Sequence, residues 1–373
     1  MNLTRRFSSV ALVLLLVSAQ ANARDLKLAF GFGPTHAGQT AMEALSKSLK
    51  EKTSGELEGK IFPSSLLGPT QMFAGVRDGI VDVGWSLLSL ANTEFPESQL
   101  AANLAMLGTN GYAMAAAMTE YNFSCAECLA ERLRNNHVYL GSASTGVYWI
   151  LSTKKIATLD EFKGKKLRSA APPWGRWANH VGAASVSIPG NEVFEAVSQG
   201  TVDGAMQAAT ELSSLRLIDV VKHITLNVPG GTFHGIDTNN VNRNTWRSLT
   251  VPQRQAFIDA AALSSATGTW RFVNEITKNM DEAKKRGIQV HQPSADVLAR
   301  SKSFQDVEVA AVVQEAEKRH GTKNAAEKAA RFRQLVEKWE KLVPESANWE
   351  PNALAEVFRR EIFSKVDAKT YGL

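Results

Sequence analysis

Apolar and polar positions change their period repeatedly along the first half of the chain. "LKLAFGFGPTHAGQTAMEALSKSLKEKTSGELEGKIFP" alternates, loosens into a glycine-containing loop, takes up a helical spacing, and returns to a short apolar run. It reads as strand, loop, helix, strand. "KKLRSAAPPWGRWANHVGAASVSIP" reads the same way with a shorter helix. Further on, "EKAARFRQLVEKWEKLVPESANWEPNALAEVFRREIFSKVDAKTYGL" carries amphipathic helical spacing broken near Pro344 and Pro351.

Two stretches echo each other without gaps. With "PTQMFAGVRDGIVDVG" (69–84) set over "GNEVFEAVSQGTVDGA" (190–205), Phe73 falls on Phe194, Val76 on Val197, Gly79 on Gly200, Val81 on Val202 and Asp82 on Asp203. Each copy predicts a helix of about two turns capped by Thr70 or Asn191, a glycine past its end, then a strand. Each half is thus a β-α-β-α-β module. The fold class that follows is α/β, with two related lobes, a parallel-rich sheet in each and a cleft between them.

The first residues, "MNLTRRFSSVALVLLLVSAQANA", join Arg5 and Arg6 to an apolar run from about Val10 to Val17 and the small-residue signal Ala21-Asn22-Ala23. This predicts a secretory signal peptide over 1–23, cleaved before Arg24, and an exported, periplasmic protein. The expected domains are lobe I at 24–146 plus about 232–270, lobe II at 147–231 plus about 271–345, and a C-terminal helical extension at 346–373.

With 44% apolar and 21% charged residues the chain has an ordinary globular composition. Its 42 basic residues exceed 37 acidic ones only slightly, and the leader removes two arginines. No concentrated basic stripe points to nucleic acid. The two cysteines, Cys125 and Cys128 in "FSCAEC", are expected to form a local disulfide in an oxidising compartment, with a redox motif or a metal site as weaker readings. No cofactor and no metal is expected.

Ligands of open parallel sheets sit beyond the carboxyl ends of strands. Arg168 stands near such an end, in "GKKLRSAAPPWGRW", followed by a loop of Pro172, Pro173 and Trp174, with Trp177 facing either the cleft or the core. A guanidinium pointing into a cleft calls for an anion, and its planar fork fits a carboxylate. Trp85, Tyr148, Gln207, Phe233, His234 and Asn239 are further candidates, as are Thr35 and His36 in the loop after the first strand. His36 is equally readable as a helix cap. The aromatic residues and the lack of a second cation favour a monocarboxylate with an apolar or aromatic body.

The segments "GKIFPSSLLGPTQMFAGVRDGIVDVG", "TLDEFKGKKLRSAAP", "VGAASVSIPGNEVFEAVSQGTVDG" and "NRNTWRSLTVPQRQAF" together resemble the periplasmic solute-binding subunits of TRAP transporters, the C4-dicarboxylate-type family, over about 26–340. The resemblance implies a two-lobed binding protein with hinge crossovers and a long helix spanning both lobes, placed in "TVPQRQAFIDAAALSSATGTWRFVNEITKNMDEAKKRG". It implies that Arg168 binds the ligand carboxylate and that Gln207 replaces an asparagine that members often carry. It implies integral membrane subunits as partners; some relatives dimerise through extended C-terminal helices, which leaves a homodimer open for this chain. The second arginine of sugar-acid binders is replaced by Tyr148, which argues against a sialic-acid-like ligand.

Catalytic readings find little. The chain has no G-x-S-x-G, no H-E-x-x-H and no phosphate-cradling G-x-x-x-x-G-K, and "GFGPTHAG" lacks the dinucleotide spacing. The expected function is capture of a small organic carboxylate, not catalysis. The alternatives are a binding protein for an ATP-driven importer and a secreted redox protein built on Cys125 and Cys128.

Overall fold

A computed structural model describes residues 23–373. The predicted leader, Ala23 apart, lies outside the described residues.

Two six-stranded sheets organise the chain. The first holds β1 (Arg24–Phe30), β2 (Leu57–Pro63), β3 (Val83–Leu87), β4 (His137–Tyr139), β5 (Ser142–Ala143) and a late-arriving strand, Ile236–Asn242. The second holds β6 (Tyr148–Ser152), β7 (Lys166–Ser169), β8 (Ala184–Ser187), β9 (Gly204–Ala208), β10 (His223–Thr225) and Gln289–His291. In chain order the two late strands are β11 and β12. The sheet orders are β2-β1-β3-β11-β4, with β5 beside β11, and β12-β10-β6-β9-β7-β8.

The repeated module is visible in these orders. β2-β1-β3 and β8-β7-β9 are matching parallel triplets, and each is extended on the same side by an antiparallel strand, β11 or β6. The sheets are therefore mixed, because the strand at which the chain changes lobe enters from the opposite end. Asp82 and Asp203 do the same work in both copies: the Asp82 carboxylate accepts from Lys27 N at 2.8 Å and the Asp203 carboxylate from Lys166 N at 2.9 Å, tying the third strand of each module to the first. Gly79 and Gly200 both take positive φ, 74° and 71°, where a side chain would be strained. The echoed helices differ from expectation at their starts. Thr70 and Asn191 lie in 3₁₀ turns, and neither side chain caps the helix that follows; the first turn tightens before the α-helix begins.

The chain passes between the sheets three times. It leaves β5 for β6, returns from β10 to β11, and leaves again along one uninterrupted helix, Val251–Lys285, that ends before β12. Thr250 caps this helix by accepting from Gln253 N, while Gln253 returns a bond to the Thr250 N–H. Pro252 sits in its first turn, where a missing N–H costs nothing. Asn239 of β11 fastens the helix to the first sheet by donating to Ala261 O.

The remaining helices, Ala295–His320, Ala325–Leu342 and Pro351–Glu361, are packed on this body. The last residues turn back onto the first sheet: Trp246 Nε1 donates to Tyr371 O at 2.7 Å and the Tyr371 hydroxyl to Tyr139 O at 2.6 Å. Cys125 and Cys128 are joined by a disulfide at the junction of helices Gly111–Ser124 and Ala126–Arg134. Among the described residues no helix is long and apolar enough to cross a membrane.

Candidate functional site

A cavity of about 320 Å³ lies between the two sheets, within the size range of small-ligand sites. The first-sheet side contributes Phe32 and His36 from the loop after β1, Trp85 and Leu87 from β3, and Leu90 and Asn92 just beyond it. The second-sheet side contributes Tyr148, Arg168 and Gln207 from β6, β7 and β9, the segment Ser187–Gly190, and Glu211. Phe233 on the return crossover and Phe272 on the long helix close the ends.

Arg168 enters this cavity because of strand alternation and register. It is paired with Ala205 of β9, and Gln207 stands two residues further along β9, on the same face of the strand as Ala205. Arg168 Nη1 donates to Gln207 Oε1 at 2.5 Å and Nε to Ile188 O at 2.8 Å. Among the described residues the guanidinium has no ion pair, although Arg168 is only 4% exposed; the Tyr148 hydroxyl is within hydrogen-bonding range of it. A second buried arginine shows the contrast. Arg132 is held by Asp237 at 2.5 Å and stacks over Phe95. Burial lowers the Arg168 guanidinium from its ordinary range, with Tyr148 and Glu211 acting against that shift.

The aromatic wall is continuous. Phe32 stacks on His36 with centroids 4.2 Å apart, and His36 meets Trp85 and Phe272 edge-on at 5.9 and 5.5 Å. His36 is also the cap of the helix Ala37–Lys52, its Nδ1 accepting from Gly38 N at 3.0 Å. That bond places the ring proton on Nε2. Burial, with a contribution from Arg271, pushes His36 down to about 3, so it is neutral at any physiological pH. Trp85 Nε1 is a buried donor without a partner among the described residues. Burial pushes the Tyr148 phenol well up, leaving a neutral hydroxyl beside Arg168 and Thr145.

The structure thus brings Arg168, Gln207, Tyr148, Trp85, Phe233 and His36 to the walls of one cavity. It places four other sequence candidates elsewhere. Trp174 stacks behind Tyr148 at 4.4 Å and donates to Gly230 O at 3.0 Å, forming a second layer behind the wall. It also opens a helix instead of a loop, because Pro172 and Pro173 suit a first helical turn. His234 is buried between the carbonyls of Thr232 and Ala101 and stacks on Phe332. Asn239 spends its amide on Leu140 O, Ala261 O and neighbouring hydroxyls. Thr35 instead bridges the two sides, donating to Ser214 O at 3.2 Å. Trp177 is core, with its Nε1 on Ser301 Oγ at 3.0 Å.

Phe32, Phe272 and Glu211 escaped the sequence reading. Phe32 lies inside the glycine-rich stretch "GFGPTHAG", whose spacing matches no dinucleotide motif, and Phe272 reads as one more apolar residue of a long helix. Glu211, in "AATELSS", carries no motif. It is buried, with one carboxylate oxygen accepting a short bond from the Ser214 hydroxyl. Burial pushes it up to about 7, against the opposing pull of Ser214, Arg168 and Gln207.

A two-lobed α/β architecture with an aromatic cavity and an unpaired buried guanidinium between the lobes defines a binding protein for a small anion. Residues 32–318 match the bacterial extracellular solute-binding protein family 7, DctP, and the chain belongs to that family. It is 25% identical over 297 residues to the outer membrane transporter protein TsaT of Comamonas testosteroni, covering 78% of this chain and 86% of that one. Its fold is similar to a marine metagenome TRAP solute-binding protein specific for aromatic acid ligands, solved with metahydroxyphenylacetate (TM-score 0.76, 21% identity, 85% of this chain and 99% of that one). It is also similar to a TRAP solute-binding protein of Rhodoferax ferrireducens with copurified benzoate (TM-score 0.74, 19% identity, 86% and 99% covered).

Proposed function

We propose that this chain is the solute-binding subunit of a TRAP transporter, that it works in the periplasm, and that it captures a small monocarboxylate with an aromatic body and presents it to integral membrane subunits. The observation that carries the reading is Arg168: a buried guanidinium held only by neutral groups in an aromatic cavity is costly until an anion meets it. The benzoate and metahydroxyphenylacetate held by the two structural neighbours fit that chemistry. Closure follows the usual logic of two-lobed binders. A ligand touching Arg168 on one side and Phe32, His36 and Trp85 on the other favours the state in which both sides meet it.

The test is a thermal-shift and calorimetric panel of benzoate, 3-hydroxyphenylacetate, succinate and galacturonate, each beside its methyl ester. Aromatic acids are expected to stabilise and bind the mature protein, and their esters to do neither. Equal binding of acid and ester would remove Arg168 from the explanation. Preference for succinate or galacturonate would overturn the aromatic assignment.

A further inference from the structure

The cavity holds a second ionisable group that the proposed carboxylate would meet. Glu211 lines the same space as Arg168, and Gln207 stands between them: its Oε1 is taken by Arg168 Nη1, and its amide is within hydrogen-bonding range of Glu211. Ser214 supplies the other contact, through Oγ. Among the described residues no cation forms a salt bridge with Glu211. The charged or titratable groups facing it are Arg168 of β7, Tyr148 of β6 and Glu275 of the long helix. Glu275 is itself paired with Arg271 at 3.3 Å, and Tyr148 is neutral. Arg168 is therefore the one positive charge that an ionised Glu211 and a bound carboxylate would have to share.

Without ligand, an ionised Glu211 offsets part of the Arg168 charge across Gln207 without pairing with it. An incoming carboxylate adds a second negative charge to a buried space that holds one positive charge, and such an excess is relieved by neutralisation. Burial has already carried Glu211 to about 7, so little work is needed to complete its protonation. Resting on the reading of this cavity as a carboxylate site, we propose that Glu211 takes up a proton from solvent when the ligand binds, so that the anion is captured together with one proton. The O–H bond forms on the Glu211 carboxylate, the buffer acid supplies the proton, and no other bond changes. Glu211 then faces the site as a neutral acid able to donate a hydrogen bond.

The experiment is isothermal titration of the mature protein with benzoate at pH 8 in buffers of different ionisation enthalpy, repeated with Glu211→Gln and with pH varied from 6 to 9. Wild type is expected to take up close to one proton at pH 8. Its Kd should rise by up to roughly tenfold per pH unit above neutrality, since the proton is then a co-ligand. Glu211→Gln is expected to bind benzoate with no proton uptake and a flat pH profile over this range. Benzoate binding to wild type without proton uptake, or uptake that persists in Glu211→Gln, overturns the inference while leaving the carboxylate reading intact. No binding of benzoate to wild type at any pH overturns both. If Glu211→Gln does not fold, Ser214→Ala takes its place: loss of the hydroxyl that donates to Glu211 should move the rise of Kd to higher pH, and an unmoved profile overturns the assignment.

Discussion

Arg168 differs from Arg132 in what it lacks. Both are buried, but Arg132 has Asp237, whereas Arg168 has a glutamine amide and a carbonyl. Replacing Arg168 with alanine should cost about 2–5 kcal/mol of carboxylate affinity, measured by calorimetry, because the ligand charge would be left buried and unpaired. Arg168→Lys should also bind worse, since an ammonium cannot hold both Gln207 and a ligand with a planar fork. His36 makes a different prediction. It titrates near 3 in the folded protein and near 6.5 when unfolded, so only the unfolded chain binds its proton between these values. Its contribution to stability is therefore complete above pH 6.5 and is lost as pH falls toward 3, by about 2 kcal/mol at pH 5. His36→Asn keeps a capping side chain and should flatten this part of the acid profile in urea melts. His137, pushed down to about 3 by burial, retains its own share of the slope.

At the scale of elements, Gly190 marks where the two sides touch. A Cβ there would lie 2.9 Å from the Phe32 ring across the cleft. Gly190→Val should therefore hold the lobes apart, giving a larger radius of gyration in the ligand-saturated state by X-ray scattering and a weaker ligand affinity than wild type. The disulfide is a local device. Cys125 and Cys128 close a loop of very few residues, so on chain-entropy grounds the bond contributes only roughly 2 kcal/mol. It joins two helices that supply no residue to the cavity. Replacing both cysteines by serine should lower stability by that amount in denaturant titrations and leave ligand affinity unchanged. A lost affinity would tie the pair to function.

For the whole molecule, three passages of chain between the sheets make a hinge whose closed state the ligand selects. Saturating carboxylate at a hundred times its Kd should add about 2.7 kcal/mol to the stability of the folded state, visible as a rise in melting temperature that Arg168→Ala abolishes.

Much of this architecture was legible in the sequence. The echo of 69–84 in 190–205 reports two copies of one parallel triplet, because hydrophobic period and the glycines past each helix are local constraints that every copy must satisfy. Arg168 was legible as well, since a charged residue at the end of a buried strand breaks the apolar pattern. What only the tertiary structure decided is which side chains meet across the cleft. Phe32, Phe272 and Glu211 come from three distant segments, and nothing in their local spacing distinguishes them from Trp174, His234 or Asn239, which pack or hydrogen-bond elsewhere. Periodicity fixes the face of an element on which a residue lies. Whether that face meets core, another strand or a ligand cavity depends on the sheet order and the crossovers, and these are set by long-range packing.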